Sequence, residues 1–238
     1  KEHMNILDIG ANIGYYAIMQ LKLLKGTGSL IAVEPSQKNI DLLKENLFKN
    51  NFSNNVEIHN KAISDINGKR PFFISNHSNL NTFHNTGSGK KFLDGKKVLV
   101  ETSTIENIIG KRELDLIRMD VEGHEVKILN NLIKLVKKRN IYPTVIFETH
   151  LSRYDSKKNN MCECLKNLFK NNYHVSIAGT SSKRGNKILK ELGYDLSHMI
   201  RSDDDERSIV RNIKHKDALN LICVSGGLRT VTLSKKIL

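Results

Sequence analysis

The chain has 238 residues, of which 39% are hydrophobic and 26% charged; this size and composition are typical of one globular domain with a sizeable core. No apolar run reaches the roughly 20 residues of a membrane-spanning helix, and the three cysteines form no Cys-x-x-Cys pair. We therefore expect a cytoplasmic protein without a membrane span, a disulfide framework or a cysteine-bound metal. The formal net charge of +13 raises the question of an anionic partner, but the lysines are dispersed in pairs and triplets.

Helix-type and strand-type patterns alternate along the chain, which predicts an α/β fold. Strands are expected over residues 5–9, 29–34, 56–59, 98–102, 114–120, 144–148, 174–178 and 219–224, and helices over 13–25, 36–50, 104–109, 126–133 and 161–169. Residues 75–97 and 180–215 are polar and lack periodicity, so we expect variable loops or a small cap there. These segments would either face the substrate or be mobile.

The first strand leads into a glycine-bearing turn, and the second strand ends in an acid. Gly10 and Gly14 allow a tight turn and a close approach of a ligand to the backbone. Glu34 follows Gly10 by 24 residues, near the separation at which a carboxylate binds a ribose diol. The dinucleotide pattern Gly-x-Gly-x-x-Gly is absent, since Asn12 replaces its second glycine, and the Lys-Ser or Lys-Thr pair of a P-loop is also missing. The turn predicts a nucleoside cofactor without a pyrophosphate, with S-adenosylmethionine as the leading candidate.

Three sequence blocks occur in order at characteristic spacing: Asp8-Ile9-Gly10-Ala11-Asn12-Ile13-Gly14, Glu34-Pro35-Ser36 and Met119-Asp120-Val121-Glu122-Gly123-His124-Glu125. Together they resemble the FkbM family of class I methyltransferases. Ala62-Ile63-Ser64-Asp65 looks like a further family block, and Leu219-Asn220-Leu221-Ile222-Cys223-Val224 is similar to the family's last strand. The resemblance implies a Rossmann-like fold with a mostly parallel, seven-stranded, doubly wound sheet and an antiparallel last strand. Residues 1–238 would form a single methyltransferase domain.

The resemblance also implies where S-adenosylmethionine binds. Asp8 through Gly14 would hold its amino-acid portion, with Asp8 orienting the loop or the ammonium group. Glu34 would bind the ribose, and the turn Asn60-Lys61-Ala62 would lie beside the adenine. The predicted cofactor-binding residues are Asp8, Gly10, Ala11, Asn12, Gly14, Tyr15, Glu34, Pro35, Ser36, Asn60, Ala62 and Asp120.

Residues that follow successive strands are expected to converge on one crevice, because ligands of open α/β sheets bind beyond the carboxyl ends of the strands. These residues are Gly10, Glu34, Asn60, Asp120 and Glu148. A hydroxyl acceptor has a high pKa and benefits from a general base, so Asp120, Glu122 and His124 are the predicted catalytic residues. A divalent metal bound by Asp120, Glu148 and His150 is an alternative without diagnostic ligand spacing, and we predict no metal site.

The sequence therefore predicts a methyltransferase that uses S-adenosylmethionine to O-methylate a hydroxyl of a sugar, glycan or small metabolite. An RNA-directed methyltransferase, a non-catalytic cofactor-binding subunit and an NAD-dependent dehydrogenase are the alternatives. No Asn-Pro-Pro-aromatic sequence and no Pro-Cys pair is present, which argues against methylation of base amino groups or of cytosine C5. Asp203-Asp204-Asp205 follows a polar stretch, so we interpret it as a solvated loop and not as the metal motif of a glycosyltransferase.

Overall fold

The computed structural model describes residues 2–77, 80–85, 93–202 and 205–235. The chain divides into two compact units, Lys1–Pro143 and Thr144–Leu238, and the single-domain organisation stays a prediction. Within the described ranges, no helix is long and apolar enough to cross a bilayer.

The first unit contains four parallel strands with helices between them. The strands are β1 (Asn5–Ile9), β2 (Ser29–Val33), β3 (Val56–His59) and β7 (Leu116–Met119), in the order β3-β2-β1-β7. The helices are α1 (Tyr15–Leu24), α2 (Gln37–Lys49), α3 (Ile105–Ile109) and α4 (Glu125–Arg139). The chain runs outward from β1 to β2 and β3 and then returns to place β7 on the other side of β1. This reversal is the topological switch point, where ligands of such sheets bind.

Local sequence explains the helices that flank the switch point. The side chain of Ser36 caps α2 by accepting a hydrogen bond from the backbone N–H of Asn39, as a serine at this position commonly does. Leu43 and Leu47 are buried at helical spacing on α2, against the apolar face of β1 and β2. Each leucine buried in this way contributes roughly 1.5–3 kcal/mol to the free energy of folding. This packing holds α2 against the sheet, next to the glycine-bearing turn.

A second, smaller sheet of the first unit was not predicted in full. It consists of β4 (Ala62–Ile63), β5 (Gly68–Ser75) and β6 (Leu93–Ser103), in the order β4-β6-β5. The sequence indicated only the end of β6, because β5 begins with polar residues and contains Pro71. A proline is tolerated there since β5 lies at the edge of the sheet. Phe72 packs with Ala62 and Val100 in a buried cluster.

The segment 75–97 is thus partly strand and not wholly loop. Ser75 ends β5, Leu93 begins β6, and Thr82 exchanges backbone hydrogen bonds with Phe73. Residues 78–79 and 86–92, on which much of the loop prediction falls, lie outside the described residues.

The second unit is built on antiparallel strands. The order is β10 (Ser197–Ser202), β11 (Asp205–Ile213), β9 (Tyr173–Thr180), β12 (Leu228–Lys235) and β8 (Thr144–Glu148), and every neighbouring pair is antiparallel. Its helices are α5 (Met161–Lys170), α6 (Lys183–Glu191) and α7 (His215–Cys223). The α/β fold is confirmed. Because β8 and β9 each run opposite to β12, they point in the same direction, and β12 is the antiparallel strand that was expected. The number of strands differs, since β10 and β11 add two to the seven that were predicted.

Two predictions for the second unit were wrong. The expected strand over 219–224 is helical, because Ala218, Leu221 and Ile222 bury one face of α7; a short apolar run does not distinguish the two structures. The last strand is β12, and it is antiparallel as expected. The expected irregular segment 180–215 contains α6, β10 and β11. Asp205 begins β11 and accepts a hydrogen bond from the backbone of Lys183, whereas Asp203 and Asp204 lie outside the described residues.

Candidate functional site

A cleft opens at the switch point of the first unit, beyond the ends of β1, β2 and β7. Its empty volume is about 910 Å³, part of which is open to solvent. Residues that follow β1, β2 and β7 line it together with residues of the small sheet. The cleft therefore lies where the sequence placed the ligand site.

The glycine-bearing turn forms one wall and requires glycine for two reasons. Gly10 has a φ of 75° and Gly14 a φ of 91°, a left-handed region that L-residues with a Cβ rarely adopt. A Cβ on Gly10 would also lie 2.2 Å from the backbone oxygen of Asp120, and one on Gly14 would lie 2.5 Å from Leu43. The turn is thus pressed against the segment after β7 on one side and against α2 on the other.

Glu34 connects this turn to the end of β2. One carboxylate oxygen accepts the backbone N–H of Asn12 at 3.0 Å, and the other accepts the backbone N–H of Ser36 at 2.9 Å and the side-chain amide of Asn39 at 3.2 Å. The residue is 4% exposed, and burial raises the pKa of its carboxyl above the ordinary value despite these bonds. A carboxylate offers about four acceptor positions, so at least one remains for a hydroxyl group in the cleft.

Asp8, Arg118 and Asp120 form a charged row across β1 and β7. Asp8 and Arg118 are direct partners in the parallel pairing of the two strands, and Asp120 lies two residues further, on the same face. The Arg118 guanidinium donates to Asp8, to the backbone oxygen of Gly10 and to Asp120, each at 3.2 Å. Its carbon also lies 4.0 Å from the ring centroid of Tyr16. Burial raises the pKa of the Asp8 carboxyl, and the positive charge of Arg118 opposes that shift.

His124 is the last residue before α4 and is buried, in contact with Ser64 and Phe83. Its Nε2 lies 3.1 Å from the hydroxyl oxygen of Ser64, and its ring lies 4.5 Å from that of Phe83. Its Nδ1 is buried without a partner among the described residues. Burial and, to a smaller extent, the charge of His84 lower its pKa to about 3, so the ring is neutral at physiological pH.

Glu122 lies in the cleft with an unusual backbone conformation. Its φ is 49°, a left-handed value that costs of the order of 1 kcal/mol for a residue with a side chain and often occurs at functional sites. Its backbone oxygen accepts the hydroxyl of Thr82 at 2.8 Å. Thr82, which exchanges backbone hydrogen bonds with Phe73 of β5, therefore holds the turn that carries Glu122.

The structure brings most of the predicted site residues to this cleft. Those that line it are Gly10, Ala11, Asn12, Tyr15, Glu34, Pro35, Ala62, Asp120, Glu122 and His124. Asp8 and Gly14 are not among the lining residues, and Ser36 and Asn60 form hydrogen bonds with the segment 34–35. Their roles in binding and catalysis stay predictions. Glu148 and His150 belong to the second unit, and the metal alternative also stays a prediction.

Sequence reasoning missed several residues of the cleft. Arg118 and Tyr16 lie beside the glycine turn, and Phe72, Asn81 and Phe83 come from the small sheet and the segment after it. One signal was present for Arg118, a charged residue inside the otherwise apolar strand Leu116–Met119. The side chains from the small sheet carried no signal, because that sheet was not predicted as a whole.

Residues 8–196 match the sequence model of the methyltransferase FkbM domain. The chain belongs to this family. The match extends beyond the blocks that carried the resemblance and confirms it. A search of curated proteins finds none that matches the chain.

Solved structures similar to this FkbM chain share little of its sequence. An FkbM methyltransferase from Methylobacillus flagellatus KT is 15% identical with a TM-score of 0.46, over 87% of this chain and 43% of that one. An S-adenosylmethionine-dependent O-methyltransferase from Thermotoga maritima is 13% identical with a TM-score of 0.48, over 100% and 61%. A precorrin-6y C5,15-methyltransferase from Geobacter metallireducens is 11% identical with a TM-score of 0.47, over 99% and 81%. The chain thus spans less than half the length of the Methylobacillus protein.

Proposed function

We propose that this chain binds S-adenosylmethionine in the first-unit cleft and transfers its methyl group to a hydroxyl of a sugar, glycan or small metabolite. The observation that carries the proposal is the glycine turn at the switch point, joined to the buried carboxylate of Glu34 in a chain of the FkbM family. A nucleoside without a pyrophosphate suits this turn, because a second glycine for close phosphate approach is absent.

The residues present fit this cofactor chemically. Glu34 keeps an acceptor position for a ribose hydroxyl, and Oδ1 of Asn12 is a buried acceptor without a partner among the described residues. Pro35 and Ala62 supply an apolar wall for a base. Asp8, Gly10, Ala11, Asn12, Gly14, Tyr15, Glu34, Pro35, Ser36, Asn60, Ala62 and Asp120 would form or support the binding site.

The bound cofactor would supply a methyl group on a sulfonium, already activated for displacement. The chain has to hold the acceptor hydroxyl in line and accept its proton. We assign the role of proton acceptor to Glu122, which lines the cleft on a turn held by Thr82. His124 suits this role less, because taking up a proton would create a buried charge in contact with Phe83.

Isothermal titration with S-adenosylhomocysteine tests the cofactor. We expect binding, and no binding of NAD. Binding of NAD alone would instead favour the dehydrogenase alternative.

A methyl-transfer assay on a panel of hydroxylated acceptors tests the reaction. Glu122→Gln should lower turnover by about 10²-fold or more at unchanged cofactor affinity, whereas the exposed Glu113→Gln should be neutral. Full turnover of Glu122→Gln would show that Glu122 is not the general base. Cofactor binding without turnover on any acceptor would favour a non-catalytic subunit.

A further inference from the structure

We propose that Arg118 and Asp120 together bind the amino-acid end of the cofactor, the guanidinium taking the α-carboxylate and the Asp120 carboxylate taking the α-ammonium group. The inference rests on the proposed function, because it names the part of S-adenosylmethionine that this ion pair recognises. An α-amino acid carries its two opposite charges on neighbouring atoms, and an Arg–Asp pair presents the complementary arrangement.

Strand pairing places the two side chains beside the glycine turn. Arg118 pairs with Asp8 across β1 and β7, and two residues later Asp120 donates its backbone N–H to the oxygen of Ile9 at 3.1 Å. Both residues line the cleft. The guanidinium contacts the backbone oxygen of Gly10, so a ligand seated on the turn would meet it.

The guanidinium has donors left for a ligand and a fixed orientation in which to offer them. Its three hydrogen bonds, to Asp8, Gly10 and Asp120, use at most three of the five N–H groups that an arginine carries. The side chain is 12% exposed and packs on the ring of Tyr16. A rigid, partly buried guanidinium binds a carboxylate more strongly than a flexible surface cation does.

The charges around the cleft leave one place for a ligand carboxylate. Glu34, Asp120 and Glu122 are acidic residues of its lining, and the carboxylate of Asp8 accepts a hydrogen bond from Arg118. Among the lining residues in the described part of the chain, Arg118 is the one that carries a lasting positive charge. A carboxylate elsewhere in the cleft would face acids, whereas an ammonium group near Asp120 would be attracted.

A purely structural role for Arg118, limited to neutralising Asp8, predicts a different outcome from ligand recognition. If the role is structural, substitution of Arg118 lowers the affinity for every ligand of the cleft. If Arg118 recognises the amino-acid end, its substitution lowers the affinity only for ligands that carry the carboxylate. Three probes separate these cases: S-adenosylhomocysteine; 5′-deoxy-5′-(3-aminopropylthio)adenosine, which lacks the carboxylate; and 5′-methylthioadenosine, which lacks both charged groups.

Isothermal titration of Arg118→Lys against the three probes tests the inference, because lysine keeps the charge beside Asp8 but loses the forked donors. We expect at least a tenfold loss of affinity for S-adenosylhomocysteine and less than a twofold change for the two other probes. Arg112→Lys, at a surface arginine paired with Glu57, should leave all three affinities unchanged. Asp120→Asn should weaken the two amine-bearing probes and spare 5′-methylthioadenosine.

If Arg118→Lys unfolds, as circular dichroism would show, the double variant Asp8→Asn/Arg118→Met removes the buried acid with its partner. It should weaken the binding of S-adenosylhomocysteine at least tenfold more than that of 5′-methylthioadenosine, which carries neither charged group. Equal losses for all probes, or no loss for S-adenosylhomocysteine, would overturn the inference while leaving the cofactor site in place. A wild-type chain that binds none of the probes would contradict the proposed function itself.

Discussion

Glu34 combines a structural contact with a position in the cleft. The sequence indicated an acid at the end of a strand, available to a ribose. The structure adds three N–H donors that converge on its carboxylate, from Asn12, Ser36 and Asn39. Removing the side chain therefore leaves buried donors without a partner in addition to removing a ligand contact.

We predict that Glu34→Ala weakens S-adenosylhomocysteine binding by about 1–3 kcal/mol and also lowers stability, because unsatisfied buried donors carry a cost of this size. Glu34→Gln should lose less affinity and less stability than Glu34→Ala. Its loss should still exceed the effect of removing the charge alone, because the N–H₂ of the new amide has to face one of the buried N–H donors. Titration and thermal unfolding measure both effects. Glu45→Ala, at an exposed acid of α2 paired with Lys49, is the matched control, and equal affinity of all variants would move the ribose site elsewhere.

His124 makes stability depend on pH in a defined direction. Burial lowers its pKa from 6.5 to about 3, so between these values the unfolded chain binds a proton that the folded chain does not. The contribution of His124 to the free energy of unfolding is therefore fully present above pH 6.5 and is lost as the pH falls towards 3. The raised pKa values of Asp8 and Glu34 act in the opposite direction, so the contribution of His124 has to be isolated by substitution.

We predict that the wild-type chain loses about 2 kcal/mol more stability than His124→Gln when the pH falls from 7 to 5. Glutamine has no titrating group and keeps an amide near the hydroxyl of Ser64. Urea unfolding of both proteins at the two pH values measures the difference. The same loss of stability in both proteins would mean that folding does not lower the pKa of His124.

At the scale of elements, the glycine turn depends on the strand that lies next to it. Gly10 follows β1, but the atom that excludes a side chain there is the backbone oxygen of Asp120, beyond the end of β7. Substitution at Gly10 therefore disturbs the junction of two strands as well as the ligand wall. A valine at this position would accordingly affect folding in addition to cofactor binding.

We predict that Gly10→Ala abolishes measurable S-adenosylhomocysteine binding and lowers the unfolding temperature more than Gly26→Ala does. Gly26 has a similar φ of 80°, but a Cβ there would meet nothing within 4 Å. Gly26→Ala thus carries the backbone strain alone, roughly 1–2 kcal/mol. Equal unfolding temperatures and retained binding in both variants would show that the contact with Asp120 relaxes without consequence.

At the scale of the whole molecule, the net charge of +13 is not by itself evidence for a nucleic-acid-binding surface. Several cations of the first unit are engaged in structural contacts. Lys138 pairs with Glu106 at 2.8 Å, and Arg139 donates to the backbone oxygens of Gly110, Lys111 and Arg112. These contacts join the end of α4 to the segment around α3.

We predict that methyl transfer to a hydroxylated acceptor changes less than about twofold when salt rises from about 50 to 200 mM. An RNA substrate held by six or more phosphate contacts would instead lose roughly 10³-fold in affinity over this range, because counterions are released on binding. Initial rates at the two salt concentrations make the comparison. A steep decrease, together with RNA affinity at low salt, would favour the RNA-directed alternative.

The sequence by itself determined the features that depend on neighbouring residues. It located the strands of the parallel sheet, the glycine turn, the cap at Ser36 and the acid at Glu34, because periodicity, backbone freedom and capping act over a few residues. It also supplied the blocks by which the family was identified. The short apolar run at 219–224 marks the limit, since both a strand and a helix can bury it.

Only the tertiary structure decided which distant residues meet. Arg118 and Asp8 are 110 residues apart and are joined by the register of β7 on β1. His124 and Ser64 are 60 residues apart and meet because the residue after β4 packs against the residue before α4. The same packing buries His124 and lowers its pKa, a change that its sequence neighbours do not indicate. Register and burial arise from the simultaneous packing of many elements, and for that reason the charged row beside the turn became visible only in the fold.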